Sequence, residues 1–403
     1  MRRGLLPLFL AGLTTMLACG CATGAASSAG TAPRKDVARK EGVRPAIGVD
    51  ELDPRGLEKR WDFFLGEEIC GMWALDDALY VYTARKALYA LGLEDGFVRW
   101  QYMLGDELSF PPGTYSYRKD GIQRTDELYL VSKDVLHVLD RDHGYLLWKL
   151  VLPFAVSSPP AGSFSHIYLG SWDNRLYAVS KEHRMVGWTY RTGQPITARP
   201  EAAEKTVEAV FFGSEDGTVY SFSPVRDERK WSYPTLGAIR ARPLFFRNFL
   251  YVGSTDFNLY CIRTLDGNLE WRYPAGAPIT REPIAFTRDT IFVIVGDSTL
   301  LALNLQPDVK KEYLRWSFEK VGEVLAKGRR DVYVRGLANE VIALAEDTGK
   351  PRWEKPLATG ADFFVVDPYD PGSLLQRERR LASTIVLGYR DGWLVAVREK
   401  REF

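Results

Sequence analysis

An all-β ring of eight four-stranded blades, a β-propeller, is predicted from three observations on this 403-residue chain. First, a tryptophan recurs at Trp61, Trp100, Trp148, Trp188, Trp231, Trp271, Trp316 and Trp353, with spacings of 37 to 48 residues. Second, the stretches between them are short β-branched and aromatic runs punctuated by Gly and Asp, the signature of strands joined by tight turns. Third, the two ends of the pattern are complementary halves of one more unit. A period of about 42 residues holding four strands is a propeller blade.

The amino terminus comes first. Arg2 and Arg3 precede an apolar run from Leu5 to Ala18. That run is shorter than the ~20 residues a membrane-spanning helix needs, and the arginine pair is the charged start of a secretory signal. Leu17-Ala18-Cys19-Gly20-Cys21 resembles the lipobox of bacterial lipoproteins. The resemblance implies that residues 1–21 are a lipoprotein signal, with Cys19 or Cys21 acylated. Neither cysteine is followed by Asp, which under the family's sorting rule implies the outer membrane. Residues 22–56 are small, charged and Pro-bearing. They are expected to form a flexible tether of about 30 residues whose mean span is near 30 Å, taking ~5.5 Å times the square root of length.

The ring is expected to occupy residues 57–403. Eight residues after each Trp stands Ile69, Leu108, Val156, Ile196, Ile239, Ile279, Val324 or Ala361. Four further on, Pro112, Pro160, Pro200, Pro243 and Pro283 appear in five of the eight units. Runs such as IYLGSWDNRLYAV from Ile167 and LYVGSTDFNLYCI from Leu250 read as two strands around a Ser-x-Asp turn. A turn glycine, Gly96, Gly144, Gly267 or Gly349, stands four residues before a Trp-bearing strand. The last unit, TIVLGYRDGWLVAVREKREF, lacks a Trp segment, whereas Lys59 to Phe64 is a Trp segment without a preceding unit. Joined, they make blade 8 and leave no sheet edge open. Seven blades is the alternative if the first unit is irregular.

The stretch Ala343 to Trp353, with weaker copies at Ala90 to Trp100 and Cys261 to Trp271, resembles the Trp-docking repeat of the quinoprotein (PQQ-like) propeller family. The resemblance runs from Trp61 to Phe403. Together with the lipobox it is similar to the BamB type of envelope lipoprotein. This implies a non-enzymatic, monomeric scaffold for protein interaction in outer-membrane protein assembly, whose partners are envelope proteins such as the β-barrel assembly core protein. The rival implied by the same superfamily is an enzyme that holds pyrroloquinoline quinone and Ca²⁺ over the ring. The blades have few residues to spare for such a pocket, so no cofactor, no metal and no catalytic residue are expected. With 53 basic against 52 acidic side chains there is no global field for nucleic acid.

Cys70 and Cys261 fall in blades 1 and 5, too far apart for the ~7 Å Cα separation a disulfide tolerates, and are expected as free thiols. His137, His143, His166 and His183 show no metal-ligand spacing and are expected as isolated surface residues. Asp173, Asp216, Asp256 and Asp391 recur at one hairpin turn, as does GSEDG at Gly213 to Gly217, and turn formation accounts for them. Between the apolar residue and the Pro of each unit, blades 4 to 7 offer Arg199, Arg240, Arg242, Arg281 and Lys327. The equivalent stretches of the other blades offer Phe363, Phe364, Met72, Phe110, Pro111 and Pro159. A channel mouth basic on one side and apolar on the other is therefore expected, a site for an anionic or amphipathic segment, with Asp362 and Glu282 as partial counter-charges. Tyr115, Tyr117 and Arg118, beside Lys119, read as an exposed loop with the aromatic and cationic mix of interfaces.

Overall fold

A computed structural model of the chain describes residues 47, 49–75, 77–119, 122–203, 208–224, 226, 228–287, 289–305, 312–328, 330–366 and 384–400, with side chains of 49 and 117–125 excepted. Both lipobox cysteines and the blade 8 insertion at 367–383 lie outside these residues. The rest forms eight antiparallel sheets in chain order. Blade 1 comprises Ile69–Leu75, Ala78–Thr83, Ala87–Gly92 and Val98–Met103. Blades 2 to 5 follow over residues 113–151, 161–191, 201–234 and 244–274. Blade 6 has three strands, Thr290–Val295, Thr299–Asn304 and Leu314–Phe318; its innermost strand is reduced to a bridge between Ile284 and Phe292. Blade 7 spans residues 321–358. Blade 8 takes Phe363–Val366, Ile385–Gly388 and Trp393–Glu399 from the carboxyl end and Leu57–Phe64 from the amino end.

The middle strands are apolar on both faces because each blade is covered on both sides by its neighbours. All six residues of Ala78–Thr83 and of Thr290–Val295 are buried. The outermost strands alternate instead, as in Met185–Arg191, because one face meets solvent. Buried side chains fall into eight clusters, one at each seam between successive blades. The core is therefore an annulus, and each seam contributes burial at ~25 cal/mol per Å² of apolar surface.

The recurrent tryptophan has a structural reason. Trp100, Trp148, Trp188, Trp231, Trp271 and Trp316 each pair across the sheet with the residue just before a β-bulge, such as Ala90 opposite Trp100. At four seams the indole reaches into the next blade. Nε1 of Trp61, Trp100, Trp231 and Trp316 donates to the carbonyl of Leu93, Arg141, Thr264 and Glu346 at 2.7 to 3.0 Å. The ring lies where a Cβ on Gly96, Gly144, Gly267 or Gly349 would stand, and each of these glycines has positive φ. The turn glycine of each unit is thus the socket for the preceding blade's Trp.

Where a unit lacks that glycine the contact differs. Trp188 stacks on Phe222 at 4.4 Å, and its buried Nε1 has no hydrogen-bond partner among the described residues. Trp353 leaves the repeat register, since the fourth strand of blade 7 is Leu357–Ala358. It packs on Tyr333, with the Arg55 guanidinium 5.8 Å above its ring. Ile47, Leu52 and Leu57 fill the same seam, so the entry to the first strand is part of the core.

The mixed-charge channel mouth

Arg199, Arg240, Arg242 and Arg281 sit on the segments that lead into the inner edges of blades 4, 5 and 6. The approach segments are held by the apolar residue that opens each one. Ile239 and Ile279 are fully buried against Gly213 and Gly253 of the preceding blade, where any Cβ would come within 2.2 Å of the isoleucine methyl. This fixes the backbone from which the arginines project.

The arc is not a bare field of positive charge. Arg240 Nε donates to both Glu215 oxygens, at 2.9 and 3.1 Å. Arg242 Nε donates to Glu201 at 2.7 Å, with Glu282 at 3.9 Å. Glu201 accordingly raises the Arg242 pKa, against a burial that lowers it. Arg199 makes no hydrogen bond or ion pair among the described residues; burial, aided by repulsion from Arg242, brings its pKa down to about 10. The Arg240–Glu215 pair is 56% exposed on its arginine side and contributes little to stability.

Lys327 does not join this group. It ends the inner strand Val321–Lys327 and pairs with Glu346 at 2.7 Å. Two bulges in that strand displaced the register used to place it. The expectation of a basic arc is corrected to an arc of alternating charge over blades 4 to 7, in which Glu201, Glu215 and Glu323 are the members not read from the sequence. Glu201 could have been found from its place beside Pro200, one step from Arg199. Asp362 is engaged elsewhere, accepting from the Arg390 backbone N–H at 2.7 Å.

On the apolar side, Met72 and Phe364 are buried in the seams, and Phe363 and Phe110 are packed against seam clusters. Pro159 is half-buried and Pro111 exposed. The expected apolar lining is thus largely wall. The expected loop at Tyr115, Tyr117 and Arg118 is also corrected: Gly113–Lys119 is the inner strand of blade 2, paired with Ile122–Ser132. Tyr115 is half-buried beneath the Lys181 ammonium at 4.2 Å; the side chains of Tyr117, Arg118 and Lys119 lie outside the described residues.

The turn aspartates are engaged within their own hairpins. Asp173, Asp216 and Asp256 accept from Tyr177, Tyr220 and Tyr260 hydroxyls at 2.6 to 2.9 Å. Burial would raise the Asp256 pKa, but the Tyr260, Leu236 and Asn258 donors outweigh it and lower it. Asp391 accepts from the Trp393 N–H at 3.4 Å. Cys70 is exposed and Cys261 buried, both as free thiols. His137 departs from expectation: it is buried at the seam of blades 1 and 2, with Nδ1 3.0 Å from the Tyr102 hydroxyl.

With this geometry in hand, a family model described as outer membrane protein assembly factor BamB matches residues 123–238 and 215–362, more than half of the chain. The chain belongs to the BamB family. A BamB from Yersinia pestis is 27% identical over 182 residues, which cover 38% of this chain and 44% of that relative. The match thus spans less than half the length of the curated relative. The crystal structure of BamB from Moraxella catarrhalis superposes with TM-score 0.65 at 15% identity, covering 86% of this chain and 99% of that one. The quinohemoprotein alcohol dehydrogenase of Comamonas testosteroni gives TM-score 0.62 at 11% identity, covering 88% and 78%. Both structural likenesses are of fold.

The quinoprotein fold raises the question of a quinone and Ca²⁺. The recurrent aspartates are committed to turns, and among the described residues no cluster of three or more His, Cys, Asp or Glu is placed to hold a metal. Arg240 and Arg242 already carry carboxylate partners.

Proposed function

We propose that this BamB-family propeller is a non-enzymatic scaffold of the bacterial cell envelope that binds protein partners in outer-membrane protein assembly, facing the periplasm from a lipid anchor at Cys21 or Cys19. The observation that carries this reading is the family match over residues 123–362, which includes the whole segment bearing the charged mouth. A ring whose core lies in its seams leaves both faces free of a packing role, which suits a scaffold. The partner reading includes the β-barrel assembly core protein, and the mouth arginines are its candidate contacts, with carboxylates on both sides setting register rather than bulk attraction.

Affinity capture from detergent-solubilised envelope tests the reading. Recovery of the barrel-assembly core protein with the full chain, reduced when Arg199 and Arg240 are replaced by Glu, is the expected result. Failure to recover it while the anchor is acylated would remove the assembly role. Labelled palmitate should enter the full chain and be lost when Cys19 and Cys21 are both replaced by Ala. A quinone reading predicts an absorbance change on adding pyrroloquinoline quinone with Ca²⁺; none is expected.

A further inference from the structure

The seam between blades 6 and 7 is open at its inner edge. Blade 6 has only the Ile284 bridge to Phe292 there, and the facing strand Val321–Lys327 is bulged between Val321 and Glu323 and again between Val324 and Ala326. Bulges re-aim side chains and are enriched beside binding sites. Together they leave a cavity of about 280 Å³. Its floor is apolar, made of Ile284, Phe292, Ile294 and Val324, and its rim carries Arg281, Arg335, Glu282 and Glu323.

The rim charges balance in number but are incompletely matched. Arg281 donates to the Gly322 carbonyl, and its charge acts on Glu323 without a direct ion pair among the described residues. Arg335 Nε pairs with Glu323 at 3.4 Å, while Nη1 donates to Asn339 at 3.2 Å. Burial pushes the Glu323 carboxyl up further than Arg335 and Arg281 pull it down. Two guanidinium groups and a half-exposed carboxylate thus stand together beside an apolar floor. A ligand that carries both charges would complement both signs of this rim.

We propose that this cavity binds a free apolar α-amino acid. The side chain lies on Phe292 and Ile294, the carboxylate meets Arg281 and Arg335, and the ammonium meets Glu323. The volume suits a ligand of leucine size, below the ~300 Å³ at which drug-sized pockets begin. This inference shares Arg281 with the scaffold reading but does not require it, and the capture test above uses Arg199 and Arg240 instead.

Calorimetric titration of the purified full chain with L-leucine, N-acetyl-L-leucine and L-leucinamide tests it. L-leucine should bind at least tenfold more tightly than either blocked analogue, since each lacks one charge. Arg281→Gln and Glu323→Gln should each weaken L-leucine at least tenfold, while urea unfolding curves show both variants folded. In Glu323→Gln the handicap of N-acetyl-L-leucine relative to L-leucine should vanish. No binding heat at about 10 mM L-leucine, far above the Kd of even a weak specific site, would overturn the proposal. So would equal binding of all three compounds.

Discussion

The indole of Trp100 in blade 1 donates through Nε1 to the carbonyl of Arg141 in blade 2 at 2.8 Å. Its ring occupies the space a Cβ on Gly144 would need, 2.4 Å away, and Gly144 itself has φ of 75°. Side chain and backbone of two blades are thus fitted to each other, and substitutions on either side should report the fit.

Gly144→Ala combines left-handed strain with a clash against a rigid ring. It should cost about 3 kcal/mol, from ~1–2 for the backbone and the rest for displacement of the indole. Gly105→Ala, where φ is 88° but nothing lies within 4 Å, should cost only ~1 kcal/mol. Urea unfolding midpoints of the two variants compare the terms directly.

Trp100→Phe and Trp188→Phe remove the same atoms with different consequences. The first deletes a donor to the Arg141 carbonyl; the second deletes a buried donor that has no partner among the described residues. Trp100→Phe should therefore be more destabilising by about 1–2 kcal/mol. Equal losses would show that packing alone sets both.

His137 makes stability depend on pH. Burial lowers its pKa from the ordinary value of 6.5, with the Lys149 charge adding to the shift. The unfolded chain therefore takes up a proton first, so stability should be full above pH ~6.5 and fall as the pH drops through that value toward the folded pKa. Unfolding midpoints measured from pH 8 to pH 5 should slope less in His137→Gln than in the natural chain.

Deletion of residues 1–64 removes the strand that pairs Leu57 to Phe64 with Glu399 to Trp393. The uncovered edge should recruit other copies, so the full chain should elute as a monomer and the deletion as oligomers in gel filtration.

The blade count and closure were legible because a Trp at fixed register imposes itself on every unit. Seven of the eight Trp lie in strands, and only Trp353 leaves its strand. The last escaped because its surroundings include Arg55, some 300 residues distant in sequence. The mouth was legible only in its cations. Arg199, Arg240, Arg242 and Arg281 lie on the segments between strands where the register puts them, but Lys327 lies in a strand whose bulges leave no trace in periodicity. Glu215 and Glu323 could not be matched to their arginines because each pair joins segments that periodicity alone does not bring together. His137 looked like a surface residue because Tyr102, which lies beside it, belongs to the neighbouring blade.

The pairing of Glu58 with Arg398 spans 340 positions of sequence. In a chain made from its amino end, the strand Leu57–Phe64 exists long before its partner. At ~10 residues per second it waits about half a minute for Trp393–Glu399 to arrive. Seven blades can assemble in order behind it, but the ring stays an open arc until nearly the last residue. Throughout that interval the first strand has no sheet to join, and ring closure has to wait for the strands of blade 8.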